Sequence, residues 1–542
     1  MASGPWAPLR LPLFRALWLG SVISNIGTTM NDTAAVWTMT TLSGSPFMIS
    51  LMQTMSSLPL FLFALPAGAL ADLVNRRRLI IAAQAGALLT AIGMAALAWF
   101  GMLSPSLLLL ATFQLGLASA FTTPAWQALV PEIVGKELLS PSIALSGIGF
   151  NIARALGPIA GGLLVAAMGP LPVFALNAVS FGAIIFVMTR GEYIASPRSA
   201  QREQMLGAMQ AAIRYASHAP AMQAVLLRGG AHMFAAVAPV VLLPIIVKSR
   251  GWQAVDFGMM MGWYGAGAIT VALLVLPRLR SRFSLDQTLA FAGFASAIST
   301  VGMAFAPDKV TMAIALALVG GSWITGLNTF SYASQNAFPN WVRARSSAIY
   351  LVVMQGSFAA GAVTWGQVTS HFGSFPALLV AAGWLLLTAL LGFRFRPISH
   401  VEKLDLNPSG HSKHEDAHAL LHEPSPEDGP ILVTIEYRID PGDAVRFRAA
   451  MFHLREIRLR DGAFRCSVFN DLADPEIFRE TFLVGSWAEH RRQHERATME
   501  DRRIEEEVLA FHTGPEPPLV KHLLMVNLRE RRTPAAPRGS SP

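Results

Sequence analysis

The sequence predicts an all-α membrane protein with twelve transmembrane helices in two bundles of six, followed by a small C-terminal α+β domain. Three observations support this prediction. The 542 residues are 53% hydrophobic and only 14% charged, a composition too apolar for a soluble protein. Apolar segments long enough to cross a bilayer recur twelve times before residue 396. After residue 400, Asp, Glu, Arg and His become frequent, so a chemically different part follows.

The twelve helices are predicted from the length of the apolar segments. Crossing the hydrocarbon core takes about 20 mostly apolar residues in a helix. The first six helices are expected at 14–39, 47–70, 79–100, 105–128, 142–168 and 172–189. The second six are expected at 222–247, 254–276, 287–305, 310–335, 346–369 and 376–394. The similar layouts of 127–134 and 335–342, at the ends of the fourth and tenth helices, indicate an internal repeat.

The domain boundaries follow from these segments and from the composition between them. Apolar residues recur at helical spacing over 204–217, which predicts an amphipathic helix on the membrane surface. The stretch after the last helix is rich in Pro, Ser, His and acids, as linkers are. The expected order is an N-terminal bundle at 1–190, a cytoplasmic linker at 191–221, a C-terminal bundle at 222–396, a linker at 397–429 and a cytosolic domain at 430–530.

The cytosolic domain is predicted from alternating and helical periodicities. Strands are expected at 431–437, 464–469, 478–487 and 520–526, and helices at 441–460 and 489–511. The resulting order, βαββαβ, is the ferredoxin-like arrangement.

The distribution of Lys and Arg predicts the orientation in the membrane. These residues concentrate in loops on one side of the helices, while the other side carries little beyond Lys248, Arg250 and Lys309. Because cytoplasmic loops are the basic ones, both termini are expected in the cytoplasm. The net charge of +8 could suggest a nucleic-acid partner, but most cations of the membrane region fall in loops between apolar segments, so we expect no such partner. The single cysteine, Cys466, excludes an intrachain disulfide framework.

The loop at 68–78, GALADLVNRRR, has the charges expected where a chain leaves the bilayer and re-enters it. Gly68 and Asp72 precede three successive arginines that begin with Arg76 and Arg77. We predict that this loop is a cytoplasmic gating element.

The fifth predicted helix contains a cluster of small residues, Gly157, Pro158, Gly161 and Gly162. Glycines let helices approach closely, and proline loosens the local hydrogen bonding. The cluster is therefore either a hinge or tight functional interface, or ordinary helix packing.

Two charges are expected within the membrane, where ionisable groups are costly unless paired or hydrated. Asp32 lies in the first helix among polar residues, and Arg154 lies near the middle of the fifth. One hypothesis is that Asp32 carries a proton or contacts substrate while Arg154 balances its charge or holds an anion. The alternative is a structural ion pair or a polar group near the interface.

These motifs resemble those of a known transporter superfamily. The 68–78 loop resembles the major facilitator signature G-x-x-x-D-x-x-G-R-[RK]-[RK], with Asn75 in place of the second glycine. The 157–162 segment resembles the fifth-helix antiporter motif G-x-x-x-G-P-x-x-G-G, with Ala153 at the upstream glycine. Residues 10–395 as a whole resemble the bacterial exporters of this superfamily, including enterobactin-type siderophore exporters.

The resemblance implies a secondary active transporter that exports a small molecule, such as a siderophore, a drug or another metabolite, by proton-coupled alternating access. It implies that Asp72 and Arg76 latch the two halves at the cytoplasmic face. The partners would be the substrate, protons and the lipid bilayer of the bacterial inner membrane, with no catalytic residue. One rival hypothesis is a membrane-anchored protein whose C-terminal domain is an oxygenase or a ligand sensor. Another is a membrane receptor that binds a ligand without transporting it. The implied candidates for the substrate cavity are Asn25, Gln114, His232 and Asn328.

The C-terminal domain resembles the antibiotic-biosynthesis-monooxygenase-like group through its element order and its segment 487–494, WAEHRRQH. The resemblance implies an oxygenase or a ligand-sensing domain, and dimerisation through packed sheets. A non-catalytic role is the favoured interpretation, because a fold by itself carries no activity.

No metal site or cofactor is expected. A row of histidines in the second linker has helical spacing, but it lies among Ser, Pro and acids and is interpreted as a solvated tether. Neither a phosphate-binding G-x-x-x-x-G-K-[ST] loop nor an H-E-x-x-H motif occurs in the sequence. The row consists of His411, His414, His418 and His422.

Overall fold

The structure is a computed structural model that describes residues 4, 6–190, 205–339, 341–395, 398, 401, 404–409 and 424–526. Its contacts divide the chain into two compact units. The first consists of Met1–Met205, Ala221–Ala337 and Ser347–Glu402. The second consists of Leu206–Pro220, Phe338–Ser346 and Lys403–Pro542. The histidine row lies outside the described residues.

Long helices build the first unit, as predicted. Within the described residues, eleven helices are long and apolar enough to cross a membrane. A further helix, Pro12–Leu42, has 31 residues, and its polar positions lower its hydropathy. With it the described chain has the twelve expected long helices. The first six are α1 (Pro12–Leu42), α2 (Pro46–Leu73), α3 (Arg76–Trp99), α4 (Pro105–Gly135), α5 (Glu137–Met168) and α6 (Leu171–Arg190).

The junction between α4 and α5 is shorter than predicted. Both helices extend beyond their apolar segments and meet at Gly135, where the backbone has a φ of 72°. This left-handed conformation is unstrained for glycine but not for other residues. A single glycine therefore makes the turn that the apolar pattern places in a longer loop.

The second set of six helices follows the linker helix α7 (Met205–His218). Two of them contain local irregularities. The seventh membrane helix is interrupted at Val237, and the eighth contains a π-helical turn at Val271–Val275. The helices are α8 (Pro220–Ser249), α9 (Ala254–Arg282), α10 (Leu285–Phe305), α11 (Lys309–Asn336), α12 (Arg343–Phe372) and α13 (Ser374–Phe395).

The C-terminal domain has the predicted βαββαβ order, with its second helix divided in two. Its four strands form an antiparallel sheet in the order β2-β3-β1-β4, which is the ferredoxin-like arrangement. The second helical segment ends at Arg496 and restarts at Met499, because Thr498 caps the new helix and shares a capping box with Asp501. The elements are β1 (Ile431–Arg438), α14 (Ala444–Asp461), β2 (Ala463–Asn470), β3 (Ile477–Val484), α15 (Trp487–Arg496), α16 (Met499–Leu509) and β4 (Leu519–Leu524).

The core of this domain lies between the sheet and its helices. Alternate residues of β1 are buried, and Phe447 of α14 packs its ring against Tyr437 and Phe478. The fully buried Glu480 accepts hydrogen bonds from Tyr437 (2.9 Å) and Arg458 (3.1 Å). The buried carboxylate is thus paired and hydrogen-bonded, as burial of a charge requires.

Candidate transport pathway and gating elements

The glycine cluster of α5 lies where this helix crosses α1. At Gly157 there is no room for a side chain, because an added methyl group would overlap Thr29. At Gly161 the same group would lie 2.8 Å from the carbonyl oxygen of Met30. The hydroxyl of Thr29 donates to the carbonyl of Ala153 at 3.0 Å. The two helices therefore approach through backbone atoms at this crossing.

The opposite side of the same cluster contacts α9 of the second bundle. A methyl group at Gly162 would lie 2.7 Å from the carbonyl oxygen of Ala254 and 2.9 Å from the Cα of Gly258. A methyl group at Gly258 would also overlap the carbonyl oxygen of Pro158. All four predicted motif residues are thus brought together in one place, where α5 is enclosed by α1 and α9.

A second contact between the bundles joins α2 to α12. The hydroxyl of Thr54 donates to the carbonyl of Ala359 at 3.1 Å. A methyl group at Gly366 would lie 2.5 Å from the Cβ of Ser50. Together with a hydrogen bond from Lys248 to the carbonyl of Thr40, these contacts lie towards the end of the bundles that is opposite to the 68–78 loop.

The two predicted intramembrane charges have different surroundings. The guanidinium of Arg154 lies 5.8 Å from the ring centre of Phe150 and 5.9 Å from that of Tyr264 in α9. The Asp32 side chain is exposed, beside the buried Asn31. Both charges lie in described segments, and no ion pair joins them there. Arg154 therefore sits among aromatic rings at the contact between the bundles.

The four cavity candidates do not form one cluster among the described contacts. His232 is buried against Gly326 and the ring of Phe330 in α11, so α8 and α11 pack around it. Asn328 is half-buried, and its carbonyl accepts a hydrogen bond from Arg280 at 3.0 Å.

The other two candidates lie in the first bundle. Asn25 is half-buried in α1, and its carbonyl accepts a hydrogen bond from the hydroxyl of Thr29 at 3.0 Å. Gln114 is exposed on α4. Their roles stay predictions.

The arginines of the 68–78 loop bind the ends of neighbouring helices. Arg76 forms an ion pair with Glu132 near the end of α4 and donates to the carbonyl of Ala128 at 3.3 Å. Arg77 donates to the carbonyl of Thr189 in α6 at 2.8 Å. These contacts lie within the first bundle.

Asn75 occupies the position where the signature has glycine, and it has a clear local role. Its side chain accepts a hydrogen bond from the backbone N–H of Arg78 and caps α3. A methyl group added at Gly68 would meet no described atom within 4 Å. The backbone of Asp72 lies in the last turn of α2, and its side chain lies outside the described residues.

Sequence reasoning missed a buried ion pair in the second bundle. Arg228 of α8 contacts the fully buried Asp286 of α10. The other carboxylate oxygen of Asp286 accepts from the backbone N–H of Ile398 at 3.0 Å. The guanidinium lies directly against Gly392 of α13, where a side chain would overlap it. Two features of the sequence could have indicated this pair. Arg228 is a single arginine inside the predicted 222–247 helix, and Asp286 is an acid that directly precedes the predicted 287–305 helix.

The C-terminal domain has a small cavity of about 70 Å³ beside its paired histidines. The Nε2 atoms of His490 and His494 are 3.3 Å apart, and Trp487 packs its ring against His490. Burial, aided by His494 and His522, lowers the pKa of His490 to about 3, so this ring is neutral at physiological pH. The described residues contain no group of three or more metal-ligating side chains suited to a metal ion.

Comparison with known proteins places this architecture in a family. The sequence profile of the transmembrane secretion effector family matches residues 3–531, which include the C-terminal domain. The enterobactin exporter EntS of Escherichia coli O1:K1 / APEC is 26% identical over 400 residues, covering 71% of this chain and 94% of that protein. EntS of Salmonella typhi is 25% identical over 394 residues, covering 70% and 91%.

Solved structures of transporters share the fold. A bacterial homologue of the human lysosomal transporter Spinster, in an inward-facing and unoccupied conformation, aligns with a TM-score of 0.59 at 13% identity, covering 73% of this chain and 98% of that one. The nucleoside transporter NupG aligns with a TM-score of 0.55 at 15% identity, covering 70% and 98%. The chain belongs to the transmembrane secretion effector family of the major facilitator superfamily, and it is a multi-pass secondary transporter of the bacterial inner membrane that exports small molecules.

Proposed function

We propose that this protein is a proton-coupled exporter that works by alternating access. The observation that carries the proposal is the crossing of α5 with α1 and α9, where two bundles touch through glycine backbone atoms. Asp32 follows Met30 by two residues in α1, and the backbone of Met30 contacts Gly161 at this crossing. A change in the charge of Asp32 would therefore act next to the contact between the bundles.

We infer that the structure represents the inward-open state. The inference combines the basic-loop orientation, with both termini in the cytoplasm, and the position of the contacts between the bundles. Those contacts, which involve Thr40, Ser50, Ala254 and Gly366, lie towards the end that is then periplasmic. The latch formed by Asp72 and its arginines would close the opposite end when the cycle turns outward.

The proposed substrate class is a siderophore or a drug-like aromatic molecule. The curated relatives carry the name enterobactin exporter. In this chain, Trp323 stacks edge-on against Phe358 at 5.7 Å between α11 and α12, which supplies aromatic surface within the second bundle.

Replacing Asp32 by asparagine is expected to abolish proton-driven export while the protein stays folded and in the membrane. The amide has nearly the same shape but carries no titratable proton. The measurement is uptake of enterobactin or ethidium into inverted vesicles, with and without a proton gradient. Glu137→Gln, which makes the same chemical change at an exposed site, is the matched control. Unchanged gradient-driven uptake in the Asp32 variant would remove this residue from the mechanism.

We also propose that the C-terminal domains of two chains dimerise through the outer face of the sheet. Leu432 is paired with Leu483 on one side and with Leu523 on the other, so three leucines form a row across β3, β1 and β4. Leu523 is 49% exposed in the single chain. A second copy would bury this row, as paired β-sheets do.

Leu523→Glu is expected to convert a detergent-solubilised dimer into a monomer, because a charge would be buried in the apolar contact. Light scattering coupled to size-exclusion chromatography measures the mass. Leu472→Glu, at a fully exposed position between β2 and β3, is the control and should leave the mass unchanged. A wild-type protein that is monomeric under the same conditions would refute the proposal.

A further inference from the structure

One surface of the C-terminal domain is occupied by two connecting segments of the membrane part. The linker helix α7 and the segment Phe338–Ser346, which joins α11 to α12, belong to the same compact unit as this domain. The sequence predicts that the helix lies on the membrane. In the structure Ala211 and Ala212 on one side of this helix are buried against protein, while Ile213 is 54% exposed.

Tyr215 of α7 is the centre of this contact. Its side chain is almost fully buried. Its ring centre lies 5.4 Å from that of Phe338 and 5.9 Å from that of Trp341. The guanidinium of Arg460 from α14 lies 5.1 Å from the same ring. One residue thus joins the linker helix, the α11–α12 connection and the C-terminal domain.

Charged groups surround this aromatic contact and hold α7 on the domain. Arg214 binds Glu489 of α15 at 3.1 Å and donates to the carbonyl of Arg460 at 3.3 Å. His218, one turn later, contacts Glu456 of α14 at 2.9 Å. The pairs are only partly exposed, so solvent screens them less than pairs on an open surface.

The domain side of this surface is organised by its own ion pairs. Arg460 binds Asp461 at 2.8 Å and Asp501 at 2.6 Å, which orients its guanidinium below Tyr215. Burial would raise the pKa of Asp501, but Arg460 and the hydrogen bonds from Thr498 together hold it below the usual value. Arg496 lies 4.5 Å from the ring centre of Trp341. The surface is therefore built for aromatic and cationic partners.

The two bound segments lead into helices that contact the first bundle. α7 ends at His218, and α8 begins at Pro220. Phe338–Ser346 includes the first four residues of α12, which begins at Arg343. α8 contacts α1 through Lys248 near its C-terminal end, and α12 contacts α2 through Ala359 near its middle. Movement between the bundles must therefore shift both helices.

We propose that the C-terminal domain is an intrachain brace that holds the N-terminal ends of α8 and α12 together, so that these two helices move as one during transport. The surface of the domain binds the two connecting segments through Tyr215, Phe338 and Trp341. When the N-terminal ends of two helices are joined, both helices exchange between two packed arrangements more cooperatively than independent helices do. The domain thus serves the transport cycle without catalysing a reaction. The transport part of this inference rests on the proposed alternating-access function.

The test uses the full-length protein in nanodiscs and compares three variants. Tyr215→Ala removes the central ring, Tyr215→Phe keeps it, and Ile213→Ala changes an exposed position of the same helix. Hydrogen exchange is followed in peptides covering 210–218 and 338–346. Tyr215→Ala is expected to speed exchange in both peptides by about fivefold or more, the usual lower limit of a coupling effect. Tyr215→Phe and Ile213→Ala should resemble the wild type.

Export of enterobactin by the same variants, normalised to folded protein, completes the test. Tyr215→Ala should lower the export rate by about fivefold or more, whereas Tyr215→Phe should export at the wild-type rate. Faster exchange in 210–218 without a change in 338–346 would show that one contact does not hold both segments. Faster exchange in both peptides with an unchanged export rate would also contradict the proposal that the domain acts as a brace. A wild type that transports without a proton gradient contradicts only the proposed coupling, since the exchange results do not depend on protons.

Discussion

Replacing Gly258 by alanine is expected to lower export by roughly 5–150-fold without unfolding the protein. The added methyl group would overlap the carbonyl oxygen of Pro158 and lie 2.9 Å from the Cα of Gly162. Both are backbone atoms of α5, so relief requires the two helices to separate. Overpacking of this kind costs about 1–3 kcal/mol, which corresponds to such a change in the population of the closed contact.

The reason that folding should survive is local. Alanine in a helix interior is favoured over glycine by about 1 kcal/mol, so α9 itself gains stability. The strain is confined to the arrangement in which the bundles touch. The change should therefore shift the equilibrium between transport states towards the one in which α5 and α9 are apart.

Export into inverted vesicles and the accessibility of labelled cysteines near the α5–α9 contact measure this effect. Gly147→Ala is the matched control, because Gly147 also lies in α5 but has no neighbour within 4 Å of an added methyl group. The control should export at the wild-type rate. If Gly258→Ala also exported normally, the close contact between the bundles would not belong to the transport cycle.

Replacing Asp286 by alanine is expected to destabilise the second bundle by about 3–5 kcal/mol, the usual result of removing one partner of a buried ion pair. The guanidinium of Arg228 would stay enclosed beside Gly392 without its carboxylate. The backbone N–H of Ile398, just beyond α13, would lose its acceptor as well. The variant should melt at a markedly lower temperature in detergent.

A double replacement separates the charge effect from packing. Arg228→Met combined with Asp286→Leu removes both charges and keeps similar volumes, so most of the stability should return. Asp308→Ala is the control, because Asp308 is an exposed acid that caps α11 and should matter less. Equal melting temperatures for Asp286→Ala and the wild type would show that the pair contributes little.

Much of the fold was predictable because the bilayer imposes a length on each helix. The apolar segments identified twelve helices. They included α1, although this helix contains several polar residues. Alternation and helical spacing identified the order of strands and helices in the C-terminal domain. The division of its second helix at Thr498 was missed, since a capping box within a helical pattern is a weak signal.

The candidate site was predicted unevenly. The cluster from Gly157 to Gly162 was recognisable because small residues at regular spacing are the requirement for close packing in a membrane. Its partner Gly258 was not, because a single glycine among many in an apolar helix carries no distinguishing pattern. Arg228 and Asp286 are 58 residues apart, so only folding reveals that they meet.

The sequence by itself determined the membrane class, the number of long helices, the basic loops and the two motifs, because lipid thickness and charge act on short stretches of chain. Only the tertiary structure decided which surfaces meet. It enclosed the glycine cluster between α1 and α9, and it packed Tyr215 of α7 against Phe338, Trp341 and Arg460. An amphipathic pattern states that one face must be covered, but long-range packing alone specifies what covers it.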